Sequence, residues 1–272
     1  MLSFNKTLKT QNMKHKITLF LGLLLISTIG FAQKTIEASD IMKDIKSGKS
    51  IIYNNVTVNG TLDFTYMDEA LEKLPRKKKN SWWNNNSSNT IKKLIDVKIS
   101  FIGCTFKDDV LAYIPDEDSG YTFTASFENE TIFKNCNFER KAMFKYSRFE
   151  RNSDFSGTSF NDDSTFKYAK FDENIDFSNT SFDEIATFKY AKFNNNVSFS
   201  NAQFKDTATF KYTNFSDGVS FKNANFEEDL NIKYMKVRGD FNITNMNVAY
   251  EIDSKYTKIN GKSFSKYLIE KR

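Results

Sequence analysis

The sequence predicts an all-β fold, a solenoid wound from short parallel strands with four strands to a turn. Three observations carry this. Phe recurs in alternating steps of five and six residues from Phe127 to Phe226 without a gap, and a fixed period is the signature of a repeat architecture. The position two before each Phe is small or β-branched, as at Thr158, Ala169, Ile175, Ala191 and Val197. Two inward positions separated by one outward position is strand alternation. The tripeptide Phe-Lys-Tyr begins at Phe144, Phe166, Phe188 and Phe210 and returns as Ile232-Lys233-Tyr234, so a turn takes 22 residues and four strands. Polar pairs such as Ser178-Asn179 and Asp183-Glu184 follow the Phe residues and mark the corners.

The elements follow in chain order. Met13-Lys14-His15-Lys16, the apolar run Ile17 to Ile29 and Gly30-Phe31-Ala32 read as a signal peptide over residues 1–32, with Met13 a candidate start. The apolar run is short for a membrane span, so the mature chain is expected to carry none. Residues 33–49 form an N-terminal cap, with Ser39-Asp40 capping a helix that turns Ile41 and Ile45 one way. Residues 50–250 are the solenoid, about seven turns long. Its pattern reaches back through Val56/Val58, Leu62/Phe64, Ile99/Phe101 and Cys104/Phe106, and forward through Ile232, Val237, Ile243 and Val248. Two insertions, 67–93 and 108–120, interrupt it and hold both Pro residues, Pro75 and Pro115. Residues 251–272 form a C-terminal cap, with a short helix from Gly261 that turns Phe264, Tyr267 and Leu268 inward. A solenoid needs such caps at its ends.

The segments AKFDE (169–173), TSFDE (180–184), AKFNN (191–195), AQFKD (202–206) and ANFEE (224–228) resemble the pentapeptide-repeat family, over roughly residues 50 to 250. The resemblance implies a right-handed quadrilateral parallel β-helix. The chain departs from the family pattern in one respect. Every second side carries an extra residue, which predicts bulged corners on two opposite sides.

Composition narrows the chemistry. Formal net charge is +5, and residues 1–32 hold Lys6, Lys9, Lys14 and Lys16 and no acid, so their removal leaves +1. The basic balance belongs to the leader, and no nucleic-acid partner is expected. The single histidine, His15, leaves with it, so the mature chain has no imidazole for general-base work or metal ligation. No cofactor or metal is expected, because the sequence has no Gly-rich phosphate loop, nucleophile elbow or EF-hand loop. Cys104 and Cys136 fall on one side of adjacent turns, within disulfide reach; two small buried thiols are the expected state.

Two regions are candidate binding sites. Trp82 and Trp83 sit in the first insertion beside Arg76, Lys77, Lys78 and Lys79, and the second insertion carries Asp108, Asp109, Asp116, Glu117 and Asp118. Counted from Phe64 and Phe106, both insertions leave the same corner of neighbouring turns, and opposite charge would join them into one lobe. Exposed aromatics on loops of a rigid scaffold often carry recognition; a loosely packed Asn-rich loop is the plainer reading. The second region is the row Lys145, Tyr146, Lys167, Tyr168, Lys189, Tyr190, Lys211 and Tyr212, continued by Lys233 and Tyr234. Tyr rings on a flat face can lie against the sugars of an extended glycan, and the Lys row can attract an anionic one. Duplication of the repeat also suffices to produce the row.

These readings point to a non-enzymatic, exported solenoid in the periplasm or at the cell surface, presenting a binding or structural surface to a polysaccharide, an envelope protein or itself. Some members of the resembling family mimic DNA and protect topoisomerases, which requires a strongly negative cytoplasmic rod. A polysaccharide-active β-helix enzyme is the third reading. It would use corner acids such as Asp162-Asp163, Asp172-Glu173 and Asp183-Glu184, which lack a desolvating pocket to shift their pKa.

Overall fold

The computed structural model describes residues 33–74 and 89–271, of which Thr35–Arg272 belong to one compact unit. Residues 1–32, expected to be a signal peptide, lie outside the described residues. The solenoid has four parallel sheets, one per side, and is a right-handed quadrilateral β-helix. Taken in the order in which the chain visits them, the first side begins with Ile51–Asn54, the second is entered by the solenoid at Val56–Asn59, the third begins with Leu62–Asp63 and the fourth with Thr90–Ile95. The first side stacks eight strands. There are thus eight turns rather than about seven, because the coil continues past residue 250 through Ile252–Asp253 and Lys258–Ile259. Register is strict: Phe160 pairs with Phe182, Phe182 with Phe204 and Phe204 with Phe226, each 22 residues on.

The alternating steps have a simple cause. Corners after the first and third sides are tight β-turns, in which the amide of Ala202 donates to the Phe199 carbonyl at 3.1 Å and that of Ala169 to Phe166 at 2.9 Å. Each of these turns places its third residue at positive φ, Asn201 at 59° and Tyr168 at 59°. A turn that closes in this way needs a left-handed residue there. Corners after the second and fourth sides carry the extra residue and are wider, as at Asn161-Asp162-Asp163 and Asp172-Glu173-Asn174.

The inward Phe residues form four columns. Along a column the rings stack nearly parallel, as for Phe166 and Phe188 (5.1 Å, 4°) and Phe188 and Phe210 (4.9 Å, 2°). Across the core, rings of the first and third sides meet edge to face, as for Phe177 and Phe188 (5.4 Å, 81°) and Phe188 and Phe199 (5.2 Å, 83°). Each ring thus offers its negative face along the axis and its positive edge across it, which is how aromatic quadrupoles prefer to meet. The positions two before each Phe are small because they lie beside these rings. On the fourth side they are Ala125, Ser147, Ala169, Ala191 and Thr213, all buried, while Met235 and Thr257 take the same place before Val237 and Ile259.

The caps differ in detail from the sequence expectation. The first helix, α1, spans Ala38–Lys46 with Glu37 at its N-cap and no side-chain cap bond, so Ser39 and Asp40 lie inside it rather than capping it. Its buried face is Ala38, Ile41 and Ile45. A five-residue helix, α2, spans Met67–Leu71. The last helix, α3, spans Phe264–Lys271 and buries Phe264 and Tyr267. Leu268 is exposed instead of turned inward, because the inward face is taken by Phe264 and by Tyr267, whose hydroxyl donates to the Phe241 carbonyl at 2.5 Å.

Cys104 and Cys136 are both buried and free, at equivalent positions before the second-side strands Thr105–Phe106 and Asn137–Phe138. Each thiol donates to backbone carbonyls, Cys104 to Ile102 at 3.5 Å and Cys136 to Phe101 at 3.4 Å. Burial pushes the Cys136 thiol up.

Two substitutions test the core. Phe188→Ala should cost about 3–5 kcal/mol in urea unfolding, the range for a fully buried aromatic that leaves a cavity, whereas the neighbouring outward Thr187→Val should change stability by less than about 0.5 kcal/mol. Ser147 and Ser164 bury hydroxyls without a hydrogen-bond partner among the described residues, in columns otherwise rich in Ala. Ser147→Ala and Ser164→Ala should each therefore stabilise the chain, by about 1 kcal/mol or more.

Candidate functional site

The tyrosine row stands on the corner between the third and fourth sides, not on a flat face. Tyr146, Tyr168, Tyr190, Tyr212, Tyr234 and Tyr256 all have φ between 59° and 64°. Tyrosine is an uncommon occupant of that region, so the turn and not the residue sets the conformation. The consequence is a ladder with its rings edge-outward. Tyr168 and Tyr190 stack at 4.7 Å and 1°, Tyr190 and Tyr212 at 4.7 Å and 3°, Tyr212 and Tyr234 at 4.5 Å and 5°. The ring faces are therefore occupied by one another. Sugars cannot lie flat against them, which corrects that part of the sequence reading, and what the ladder presents is a line of ring edges.

The lysines precede the tyrosines in each turn and lean over them. Lys145, Lys167, Lys189 and Lys211 hold their ammonium groups 5.1, 5.5, 5.3 and 5.5 Å from the ring centroids of Tyr146, Tyr168, Tyr190 and Tyr212. This is cation–π distance. Elsewhere the lysines find carboxylates, as Lys98 does in Glu130 (2.6 Å), Lys107 in Glu139 (2.5 Å) and Lys205 in Asp183 (2.9 Å). Lys233 has Asp253 at 3.8 Å. Lys145, Lys167, Lys189 and Lys211 are in no ion pair among the described residues. Burial, and then the flanking ammoniums of Lys145 and Lys189, hold the Lys167 amine below the ordinary lysine range.

Beside this row, the outward face of the third side is a shallow groove of about 440 Å³. Its floor is Thr165, Thr187 and Thr209, its lysine rim Lys145, Lys167 and Lys189, and its far rim includes Asp163 and Ile185. Tyr113 stands at one end. The Lys145 ammonium donates to the Tyr113 hydroxyl at 2.8 Å. The Thr165 and Thr209 oxygens accept from the Lys167 and Lys211 amides at 3.3 and 3.5 Å, which leaves their hydroxyl hydrogens free to donate.

Both insertions leave this same corner. The accounting from Phe106 is corrected, because Phe64 ends a third-side pass and Phe106 a second-side one. The second departure comes instead after Val110–Leu111 and Ala112, which complete the third side with Ala where Phe is usual. From there Tyr113–Asp116 and Tyr121–Phe127 form an antiparallel hairpin, and Tyr121–Phe127 also pairs in register with Thr90–Ile95. Pro115 sits in the outer strand of that hairpin, where a missing N–H is tolerated. The acids expected to hold a lobe have local partners: Asp108 accepts from the Gly60 amide at 2.8 Å, Asp109 from the Lys141 amide at 3.1 Å and Asp116 from the Ser119 amide at 3.0 Å. Trp82, Trp83 and the basic run Arg76 to Lys79 lie outside the described residues, as does Pro75.

Sequence reasoning missed two further surfaces. On the opposite corner Asn179, Asn201, Asn223 and Asn245 also adopt positive φ, and each carboxamide donates to the one below at 3.0, 2.9 and 3.1 Å. The alternation of Gly and Asn at that position (Gly103, Asn135, Gly157, Asn179) was its signal. Across the first side runs a polar trough of about 500 Å³ with Asp154, Asp176, Ser198 and Ser220 on its floor. Asp154 and Asp176 use one oxygen each to accept from the amides of Ser156 and Ser178.

Two of the corner acids, Asp172 and Asp183, are paired with basic side chains. Burial raises the Asp172 carboxyl, but Arg148 and Lys170 (3.1 Å) outweigh it and hold the group below the usual carboxylate range. Asp183 is held low in the same way by Lys205 and Ser181 against its burial. A general acid needs the opposite shift. Among the described residues no cluster of three or more His, Cys, Asp or Glu side chains could hold a metal, and no helix is long and apolar enough to cross a membrane.

The row yields a titration test. In a Lys145→Gln/Lys189→Gln variant, the Lys167 amine should titrate higher than in the parent but still below the ordinary lysine range, because burial remains; Nζ-detected NMR reads this. Since the folded pKa lies below the unfolded one, the unfolded chain binds more protons in that window, and the Lys167 contribution to stability rises as pH climbs through it.

Residues 123–170, 144–191, 166–214 and 188–234 match the family model described as pentapeptide repeats (9 copies). No curated protein and no solved structure matches the chain.

Proposed function

We propose that this chain, a member of the pentapeptide-repeat family, is a non-enzymatic exported scaffold that recognises an envelope component through its lysine-lined corner. The observation that carries the reading is the run of four ammoniums, Lys145 to Lys211, in no ion pair among the described residues on a protein that pairs many of its other lysines. A like-charge row is costly to the free protein, so an anionic or hydrogen-bond-accepting partner would stabilise the folded chain by binding it. The rigid coil supplies what recognition needs: donors held in a line, with no ordering cost at binding.

The periplasm or cell surface is the compartment this reading requires, and the leader at residues 1–32 supports it. The lysine row opposes a DNA mimic, which needs a negative rod. The low-held carboxyls of Asp172 and Asp183 oppose a glycoside-cleaving enzyme.

In-cell crosslinking with an amine-reactive reagent, followed by mass spectrometry of the captured protein, tests the proposal. Adducts to an envelope polysaccharide or protein should map to Lys145, Lys167, Lys189 or Lys211 more than to paired lysines such as Lys98 and Lys107. Recovery of the protein alone, or adducts spread evenly over all lysines, would remove the recognition role and leave a structural one.

A further inference from the structure

The third-side groove has a direction, a period and a charge, and together they select a ligand class. Its floor and lysine rim repeat once per turn, at the strand spacing of about 4.8 Å; the tyrosine rings beside them measure that repeat directly, 4.5–4.9 Å from Tyr146 to Tyr234. Four successive turns offer an ammonium, from Lys145, Lys167, Lys189 and, just past the groove's end, Lys211, and the turns of Lys167, Lys189 and Lys211 add a threonine hydroxyl from the floor. We infer that the groove binds a linear acidic glycan, a chain of uronic acid residues laid parallel to the solenoid axis. Carboxylates on the protein-facing side of the chain would meet lysines of the row, and ring hydroxyls would meet Thr165, Thr187 and Thr209. The inference rests on the recognition role proposed above and narrows it to one ligand.

Geometry separates this ligand from other polyanions. An extended acidic peptide places same-face side chains two residues apart, roughly 6.6 Å, and falls out of step with the row within two or three turns. Duplex DNA carries a charge about every 1.7 Å of its axis on a wide cylinder, far denser than one line of lysines can match. A polyuronate carries one carboxylate per sugar ring, and successive rings of an extended chain turn over, so its same-face carboxylates lie two rings apart, close to the height of two turns. The tyrosine ladder fits a positioning role, because each ring holds its lysine's ammonium at cation–π distance beside the groove. The carboxylate of Asp163 on the far rim is the one acid among the groove's lining residues; it repels a polyuronate locally, so Asp163→Asn should tighten binding.

The test is calorimetric titration of the whole mature protein with an oligogalacturonate of eight rings, with its methyl ester as the uncharged control. Binding that falls steeply with added salt, that the ester does not show, and that weakens roughly tenfold or more with a flatter salt dependence in a Lys145→Gln/Lys167→Gln/Lys189→Gln/Lys211→Gln variant supports the inference. Removing the four charges relieves their mutual repulsion, so a cooperative melt at or above the parent's melting temperature checks that the variant folds. Equal binding of the ester, equal binding of oligoglutamate or single-stranded DNA, or binding that the variant leaves intact would each overturn it. If the oligogalacturonate fails to bind while crosslinks from the same lysines persist in cells, the acidic-glycan assignment falls and the broader recognition role stands. If both fail, both fall.

Discussion

A stack of parallel coils can complete its backbone hydrogen bonds only if every turn consumes the same number of residues, and this constraint governs the rest of the molecule. Here the number is 22, and the register from Phe138 through Phe226 never slips. The core enforces it. A Phe displaced by one residue would point outward, since strand side chains alternate, and four columns of stacked rings would lose their partners together. The edge-to-face contacts between opposite sides add a second requirement, because each ring must sit midway between two across the core.

Fixed register turns a sequence repeat into a spatial array. Whatever residue type follows the third-side Phe appears once per turn on the same corner, so Lys-Tyr in the sequence becomes parallel lines of ammoniums and phenols. The turn geometry then decides how they are used. Left-handed backbone at each tyrosine aligns the rings face to face along the axis and leaves their edges outward. The surface that results is cationic and hydroxyl-rich instead of an aromatic platform. This is a case in which backbone conformation, and not residue type, sets the chemistry a face can offer.

The period, the four sides and the inward columns were legible in the sequence because the Phe and the position two before it repeat without exception between Phe127 and Phe226. The corner conformation was only half legible. Asn and Gly share one corner position, a mark of positive φ that can be read directly, while tyrosine at the equivalent position on the opposite corner carries no such mark. The second insertion was displaced in the sequence reading because Ala112 stands where Phe does elsewhere, so the third-side pass at Val110–Ala112 was counted as loop. The solenoid's end was placed at 250 instead of 259 for the same kind of reason: Ser254 stands at a Phe position and breaks the pattern one turn early. The groove was not legible, since its length comes from turns 22 residues apart whose stacking only the closed coil sets.

The central claim is the 22-residue turn with its left-handed corners in one line, and paired cysteines test it most directly. Tyr168→Cys with Tyr190→Cys places two thiols on neighbouring turns at about 4.8 Å, inside the Cα range that a disulfide requires. The account predicts near-complete crosslinking of this pair under mild oxidation and little for Tyr168→Cys with Phe188→Cys, the pair that a 20-residue turn would align. Equal crosslinking of both pairs, or preference for the second, would contradict it.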